Sequence, residues 1–316
     1  MKIITSFPVK EEKQTELKSY FLDEEFFFFQ NIHEAADELE NAEVLLTYGE
    51  DLTPALIEQA TSLKWIMVMS AGMEKMPFQA INEKNILVTN ARGIHKIPMS
   101  EYALGMMLQV SKQMKLLYEQ EIESNWNRAI PTTELYGKTI LIIGVGAIGG
   151  QIAMLCKSFG MSVLGISRSG NPIKHVEKIG KLDTLEHLLP KADYIVSVLP
   201  STNETRYILK RKHFEKMKSN SIFMNIGRGD LVEESVLIDV MSERLIAHAV
   251  LDVFEQEPLP SEHLFWKMDN VTVTPHISSI TANYLPRAFE IFEENLHIYR
   301  SKRTDYVNLI NVKRGY

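Results

Sequence analysis

The sequence predicts an α/β protein built from two doubly wound parallel-sheet domains, and three observations carry that prediction. The chain has 316 residues, enough for two domains of ordinary size. Apolar runs of β character alternate with amphipathic runs at helical spacing along the first hundred residues. After a polar stretch near residue 130 the same alternation begins again.

Residues 1–6, 43–48, 65–69 and 86–89 predict strands, and 26–29 predicts a further strand or a buried edge. Between them, 11–21, 33–39 and 54–59 predict helices. Alternation of this kind implies a mainly parallel sheet covered on both faces. Pro98 and Ser100 predict the opening of a long helix, with Ser100 as N-cap. Ala103, Met106, Met107, Val110, Met114 and Leu117 follow at helical spacing and read as packed core, a use that suits the adaptable Met side chain. The polar stretch 119–135, with Trp126, reads as an irregular connection or arm. The second alternation has strands at 139–144, 162–167, 194–199, 221–225, 247–253 and 271–274, and helices at 148–159, 185–189, 210–217, 233–243 and 284–301. In the last helix Ala288, Ile291, Phe292 and Leu296 share an apolar face.

Composition removes several classes of function. With 45% hydrophobic and 24% charged residues the chain matches a globular protein and is far from disordered or disulfide-rich compositions. One cysteine, Cys156, cannot form an internal disulfide or contribute to a Cys-rich zinc site, which favours a reducing, cytoplasmic setting. The N-terminus turns polar too soon for a signal peptide, and no apolar run approaches a membrane span. A net charge of −7 with scattered Lys and Arg argues against nucleic acid as partner and leaves room for small anions. The histidines show no metal-ligand spacing, so no metal is expected.

Residues 141–149 read Leu-Ile-Ile-Gly-Val-Gly-Ala-Ile-Gly, an apolar strand running into Gly144, Gly146 and Gly149 and then into a helical pattern. This is G-x-G-x-x-G in the context that dinucleotide binding requires. The glycines permit a tight turn, close approach to a pyrophosphate and close helix–strand packing, while the amides of the helix start, at Ala147 and Ile148, attract the phosphates. An NAD site should carry an acid at the end of the next strand, which here reads Ile166-Ser167-Arg168-Ser169-Gly170. No acid is present, and Arg168 with the hydroxyls of Ser167 and Ser169 suits the 2′-phosphate of NADP. The alternative is that Arg168 only covers the adenine or faces solvent. NADP is the expected cofactor, preferred over NAD. Because the fingerprint follows a complete α/β segment, the cofactor domain is inserted or second.

Three later segments carry polar residues at the ends of predicted strands: Asn225-Ile226-Gly227-Arg228-Gly229-Asp230, then 251–260 with Asp252-Val253-Phe254 and Glu257-Pro258, then Thr274-Pro275-His276. Read with the fingerprint, they resemble the D-isomer-specific 2-hydroxyacid dehydrogenase family, which includes phosphoglycerate dehydrogenases and glyoxylate and hydroxypyruvate reductases. By that resemblance Arg228, Glu257 and His276 match the family's catalytic Arg, Glu and His, and Asp252 its nicotinamide-side Asp. The chemistry agrees. A guanidinium can grip the oxygens of a 2-oxo acid with Arg228 as substrate ligand, an imidazolium at His276 can protonate the carbonyl oxygen as hydride reaches C2, and Glu257 can hold the ring.

The resemblance further implies a substrate loop at 69–73, with backbone N–H groups of Ala71 and Gly72 holding the carboxylate, and a cofactor-side turn at Leu199, Pro200 and Thr202; for that turn an ordinary surface turn stays open. His95, in a loop near the expected boundary, either touches substrate or faces solvent, the latter slightly favoured. The implied architecture is a Rossmann dinucleotide-binding domain, 99–285, inserted into a flavodoxin-like substrate domain made of 1–98 and 286–316. The last helix would pack back on the first domain, and a homodimer is expected, the arm with Trp126 contributing. The expected activity is hydride transfer between NADP(H) and a small 2-oxo or D-2-hydroxy acid, with glyoxylate or hydroxypyruvate as substrates. The alternative is a dinucleotide-sensing binding protein or corepressor on the same fold.

Overall fold

The computed structural model describes residues 1–73 and 75–314. The chain separates into two compact units, Met1–Ile94 with the stretch from Ala282 onward, and His95–Thr281. The first division falls slightly before residue 98, because the helix expected to open at Pro98 begins earlier and belongs whole to the second unit, and the later one falls slightly before residue 285, because the last helix starts at Tyr284 and belongs whole to the first unit.

In the first unit, strands β1 (Lys2–Thr5), β2 (Glu25–Phe28), β3 (Val44–Thr47), β4 (Trp65–Val68) and β5 (Leu87–Asn90) alternate with helices α1 (Glu11–Tyr20), α2 (Ile32–Leu39), α3 (Pro54–Gln59) and α4 (Phe78–Glu83). The sheet is wholly parallel in the order β2-β1-β3-β4-β5. Local chemistry starts the helices where the pattern expects them. The Asn31 side chain accepts the Glu34 amide, and Thr53 accepts the Leu56 amide ahead of Pro54 at the first helical position. Successive strand residues feed opposite cores: Ile4, Leu45, Ile66 and Val68 meet Leu39 and Ile57 on one face, while Ile3, Leu46, Trp65 and Met67 meet Leu17 on the other. The last helix, Tyr284–Arg300, completes that second face with Ala288, Phe289, Phe292 and Leu296 buried and Ile291 partly so. Trp65 stacks on Phe292 at 5.5 Å between ring centroids and donates its indole N–H to Thr89 Oγ1.

The second unit opens with α5 (Lys96–Ser111) and α6 (Met114–Ile122). His95 is the N-cap of α5, and Ser100, expected there, lies inside the helix with its hydroxyl bonded to the Ile97 carbonyl. Pro98 is compatible with the first turn, where its missing N–H removes no helical bond. The methionine stripe is only half core. Ala103 and Met107 are buried, and Met106 and Val110 pack against the same cluster. Gln113, left-handed at φ 55°, ends that face, and Met114 and Leu117 on α6 are 48% and 40% exposed. The beginning of the stretch expected to be irregular is therefore helical as far as Ile122.

Strands β6 (Thr139–Ile143), β7 (Ser162–Ile166), β8 (Lys178–Gly180), β9 (Tyr194–Ser197), β10 (Ile222–Asn225), β11 (His248–Leu251) and β12 (Val271–Val273) form a second parallel sheet in the order β12-β11-β10-β9-β6-β7-β8. Numbered within the unit this is 3-2-1-4-5-6-7, the Rossmann order with one further strand. Helices α5 and α7 (Ala147–Ser158) cover one face through Met107, Ile152 and Cys156. The short α8 (Leu185–Leu188), α9 (Arg211–Phe214) and α10 (Glu234–Ser242) cover the other through Leu188, Phe214 and Val240. The order reverses between β6 and β9, so the carboxyl ends of these strands form the crevice where such sheets bind ligands. Among the described residues no helix is long and apolar enough to cross a membrane, and no group of three or more His, Cys, Asp or Glu is placed to hold a metal ion.

Candidate active site

The crevice begins at the glycine turn after β6. Gly144 has φ +105°, a conformation that L side chains rarely adopt, and a Cβ there would also press on Val198 and Leu199 at 3.2 Å. A Cβ at Gly149 would stand 2.4 Å from the Gly144 carbonyl oxygen, so helix and strand pack closely only because it is absent. Gly146 differs from both. Its φ is −102°, and a Cβ would meet no atom of the described residues within 4 Å. None of those residues asks for glycine at this position; an approaching ligand would. It caps α7, whose first amides have no helical acceptor, and the space beside it fits a diphosphate held by those N–H groups.

Beside that turn, the end of β7 carries the Ser167–Gly170 loop. The Ser167 hydroxyl accepts the Gly170 amide at 3.0 Å and the Ser169 hydroxyl accepts the Asn171 amide at 3.2 Å, which leaves both hydroxyl protons available to an anion. Arg168 is exposed between them. On the other side, the Leu199–Thr202 turn is internally braced: Thr205 Oγ1 donates to the Pro200 carbonyl at 2.6 Å and accepts the Thr202 amide at 2.8 Å. Gly227 lets the next loop press against it, since a Cβ would lie 2.4 Å from the Leu199 carbonyl oxygen.

That next loop presents Arg228. Asn225 holds it by accepting the Gly227 amide at 3.2 Å and donating to the Arg228 carbonyl at 2.8 Å. Gly229 is jammed against the chain at Phe254, where a Cβ would stand 1.9 Å from the carbonyl carbon. The guanidinium itself is exposed, with one bond to the Gly227 carbonyl at 2.7 Å, and among the described residues it has no ion pair.

His276 Nδ1 lies 2.8 Å from Glu257 Oε2, and Glu257 Oε1 accepts the Phe254 amide at 2.9 Å. An ionised carboxylate can only accept, so Nδ1 carries a proton and Nε2 is the atom left to exchange one. The ring is 44% exposed, open to a reacting partner. Its loop is anchored from below by Asp252, which is wholly buried. One Asp252 oxygen accepts Thr274 Oγ1 at 2.6 Å and the Ile277 amide at 2.9 Å; the other accepts the Ser278 amide at 2.9 Å. The His276 amide donates to the Asp252 carbonyl, 2.9 Å away. Tyr102 of α5 extends the chain, its hydroxyl 2.6 Å from Thr274 Oγ1. Because Thr274 gives its proton to the carboxylate, Tyr102 must be the donor. His95 is half-buried rather than solvated. Burial holds its imidazole below the usual histidine range, the Arg228 charge lowers it further, and a hydrogen bond with the Ser279 backbone opposes both.

Residues 104–278 match the family model described as D-isomer specific 2-hydroxyacid dehydrogenase, NAD binding domain. The chain belongs to this family. It is 33% identical to D-3-phosphoglycerate dehydrogenase of Methanocaldococcus jannaschii over 267 residues, covering 83% of this chain and 51% of the relative, so it spans about half the length of that protein. Glyoxylate/hydroxypyruvate reductase B of an Enterobacter species is 32% identical over 257 residues, covering 80% and 79% of the two chains. A D-isomer specific 2-hydroxyacid dehydrogenase family protein from Aeromonas salmonicida, known by crystal structure, superposes with a TM-score of 0.84 at 32% identity over 98% of this chain and 99% of its own.

In this dehydrogenase-family chain the second unit alone brings Arg228, Asp252, Glu257 and His276 to neighbouring strand ends, with the glycine turn, Ser167–Ser169 and Leu199–Thr202 along the same edge. Asp252, expected beside the nicotinamide, is found buried under the His276 loop. Ala71 and Gly72 belong to the first unit, in the loop after β4. Asn90 Nδ2 donates to the Ala71 carbonyl at 3.1 Å, which turns the Gly72 N–H of that planar peptide to the opposite side. Sequence reasoning placed Asn225 and Thr274 at strand ends without a role, and passed over Tyr102. Gly227 and Gly229 on either side of Arg228 were the available signal that the arginine sits in a loop pressed tightly on its neighbours.

Proposed function

We propose that the protein is an NADP-preferring reductase that converts small 2-oxo acids to D-2-hydroxy acids, with glyoxylate or hydroxypyruvate as substrate. The observation that carries this reading is the 2.8 Å contact between His276 Nδ1 and a Glu257 carboxylate fixed by its own backbone contact, with the imidazole open to solvent. The residues of the second unit suit a nicotinamide dinucleotide: Gly146 and the α7 amides for the diphosphate, Leu199, Pro200 and Thr202 along the crevice, and Ser167, Arg168 and Ser169 for the adenosine ribose. When bound, that cofactor supplies the hydride. Arg228, exposed and without an ion pair among the described residues, binds and orients the substrate's carboxylate and carbonyl oxygens in a planar two-point grip. The Ala71 and Gly72 amides are further carboxylate donors. His276 delivers a proton from Nε2 to the carbonyl oxygen that gains charge, Glu257 stabilises the imidazolium, and Asp252 holds the loop on the nicotinamide side. The names of the Enterobacter and Thermofilum pendens relatives, a glyoxylate/hydroxypyruvate reductase and a glyoxylate reductase, support the substrate class. A dinucleotide sensor or corepressor would leave the His276–Glu257 pair without a task.

The reading extends to assembly and setting. Tyr118, Ile122, Trp126 and Tyr136 are 62%, 67%, 92% and 77% exposed along one stretch, which supports the expected homodimer and is checked by light scattering. The lone Cys156 is buried, and burial pushes its thiol up to about 12, a redox-silent residue that fits a cytoplasmic protein.

Assay of 2-oxo acids with NADPH and with NADH tests the function. Oxidation of NADPH on adding glyoxylate or hydroxypyruvate is expected, and Arg168→Ala is expected to weaken NADPH use by roughly 10-fold or more relative to NADH, the scale of a lost charge-assisted contact. No turnover with any 2-oxo acid would overturn the activity; a wild-type preference for NADH would overturn the cofactor.

A further inference from the structure

The end of the edge strand β8 was not part of the sequence reading, yet it runs beside the loop assigned to the adenosine ribose. Strands β7 and β8 pair in parallel with Ile166 opposite Gly180, and the Ser167 amide donates to the Gly180 carbonyl at 3.0 Å. Ser167 and Lys181 therefore leave adjacent strands side by side, one strand spacing of about 4.8 Å apart. The Lys181 stem then lies across the loop itself. A Cβ built on Gly170, at φ +70°, would stand 3.2, 3.4 and 3.9 Å from Lys181 Cγ, Cε and Cδ. The missing side chain at Gly170 is what lets this stem lie flat, and it carries the ammonium to the rim of the Ser167–Gly170 turn. Among the described residues no carboxylate pairs with it: Asp183 lines a groove with Glu186, Lys212 and His213, and Glu177 is paired with Lys157 at 2.6 Å. Among the described residues neither Arg168 nor Lys181 forms an ion pair, and both are exposed. Two unpaired cations and two hydroxyl donors thus converge on one turn, an arrangement that repels nothing anionic and has no internal partner to satisfy it.

We propose that Lys181 is a second ligand for the 2′-phosphate of NADP, so that the phosphomonoester is held between the Arg168 guanidinium and the Lys181 ammonium, with Ser167 and Ser169 donating to it. The proposal deepens the NADP reading above and rests on it. Two cations around a phosphate carrying between one and two charges neutralise it more fully than Arg168 alone, and they do so from two different strands, which fixes its position as well as its charge.

Isothermal titration of the full-length protein with 2′,5′-ADP and with 5′-AMP, alongside kcat/KM for NADPH and NADH, tests it. Lys181→Met keeps the stem on Gly170 and removes the charge. It is expected to weaken 2′,5′-ADP about 5- to 20-fold, to reduce the NADPH-to-NADH preference by a similar factor, and to be largely rescued by Lys181→Arg. A wild-type protein that prefers NADH would overturn the NADP reading and this inference with it. A wild-type preference for NADPH that falls in Arg168→Ala but not in Lys181→Met would overturn the role of Lys181 alone, as would equal losses of 2′,5′-ADP and 5′-AMP binding.

Discussion

His276 has a backbone φ of 51°, the left-handed region that non-glycine residues use sparingly. The conformation is held by what surrounds it: the His276 amide donates to the Asp252 and Thr274 carbonyls, and the two following amides bond to the Asp252 carboxylate. The ring is thereby presented to Glu257 by a loop with little freedom to turn it elsewhere. His276→Ala should lower kcat by about 10²- to 10⁴-fold, the usual contribution of a general acid, while dinucleotide affinity measured by fluorescence titration changes little. Near-native turnover would remove the assignment. Arg228 makes a different demand, for shape as well as charge. Arg228→Lys should reduce kcat/KM for the 2-oxo acid by about 10²-fold despite the retained cation, because an ammonium cannot reproduce the planar fork. A variant with native kcat/KM would show that charge alone suffices.

Between elements, the chain Tyr102–Thr274–Asp252 ties a helix to the loop that bears His276. Its proton order is dictated by the carboxylate at its end, so each hydroxyl has one defined role, and burial pushes the Tyr102 phenol well above its ordinary range, keeping it a donor. Tyr102→Phe removes the first donor and leaves the ring volume in place. The expected result is a loss of stability of about 0.5–1.5 kcal/mol by urea unfolding together with a kcat reduced several-fold at unchanged dinucleotide affinity. Stability lost with kcat intact would make the contact purely structural.

At the scale of the whole molecule, acid should unfold this protein earlier than its carboxylates alone would require. Burial lowers His248 to about 4 from an ordinary 6.5, with Lys115 adding to the shift, and burial also lowers His213. A histidine depressed in the folded state leaves stability intact above the unfolded value. As pH falls below about 6.5 the unfolded chain takes up a proton that the folded one refuses, so stability declines until about pH 4, where both forms are protonated and the decline ends. Urea midpoints measured between pH 7 and pH 4 should fall steadily, and His248→Gln should flatten that slope. An equal slope in wild type and variant would show that His248 is not its source.

Periodicity and punctuation alone determined the alternation of strands and helices, because a fully buried parallel strand is an apolar run and a two-sided core needs amphipathic helices to cover it. The Gly144–Gly149 turn was equally legible, since its chemistry is backbone geometry that only glycine permits. The edge strand Lys178–Gly180 was missed, being too brief for a period to show, and so was the helix Phe78–Glu83, which is as short as Pro54–Gln59 but lacks the Thr-Pro start that marks that helix, its N-cap Pro77 making no side-chain cap bond. The helix start at Lys96 was misplaced because Ser100 has the preferred N-cap chemistry, whereas His95 takes the N-cap position without any side-chain cap hydrogen bond. What only the tertiary structure decided is which polar residues meet. Asp252 reads as a polar residue at a strand end, and folding decides which groups it holds, the Thr274 hydroxyl and the Ile277 and Ser278 amides. His95 reads as solvent-facing, and folding sets it within the field of Arg228. Lys181 carries no signal in the sequence, and its stem comes to lie against Gly170 only because two parallel strands end at the same level. Such contacts join residues distant in sequence through the register of the sheet, and register is set by the packing of the whole domain, which no local run of residues contains.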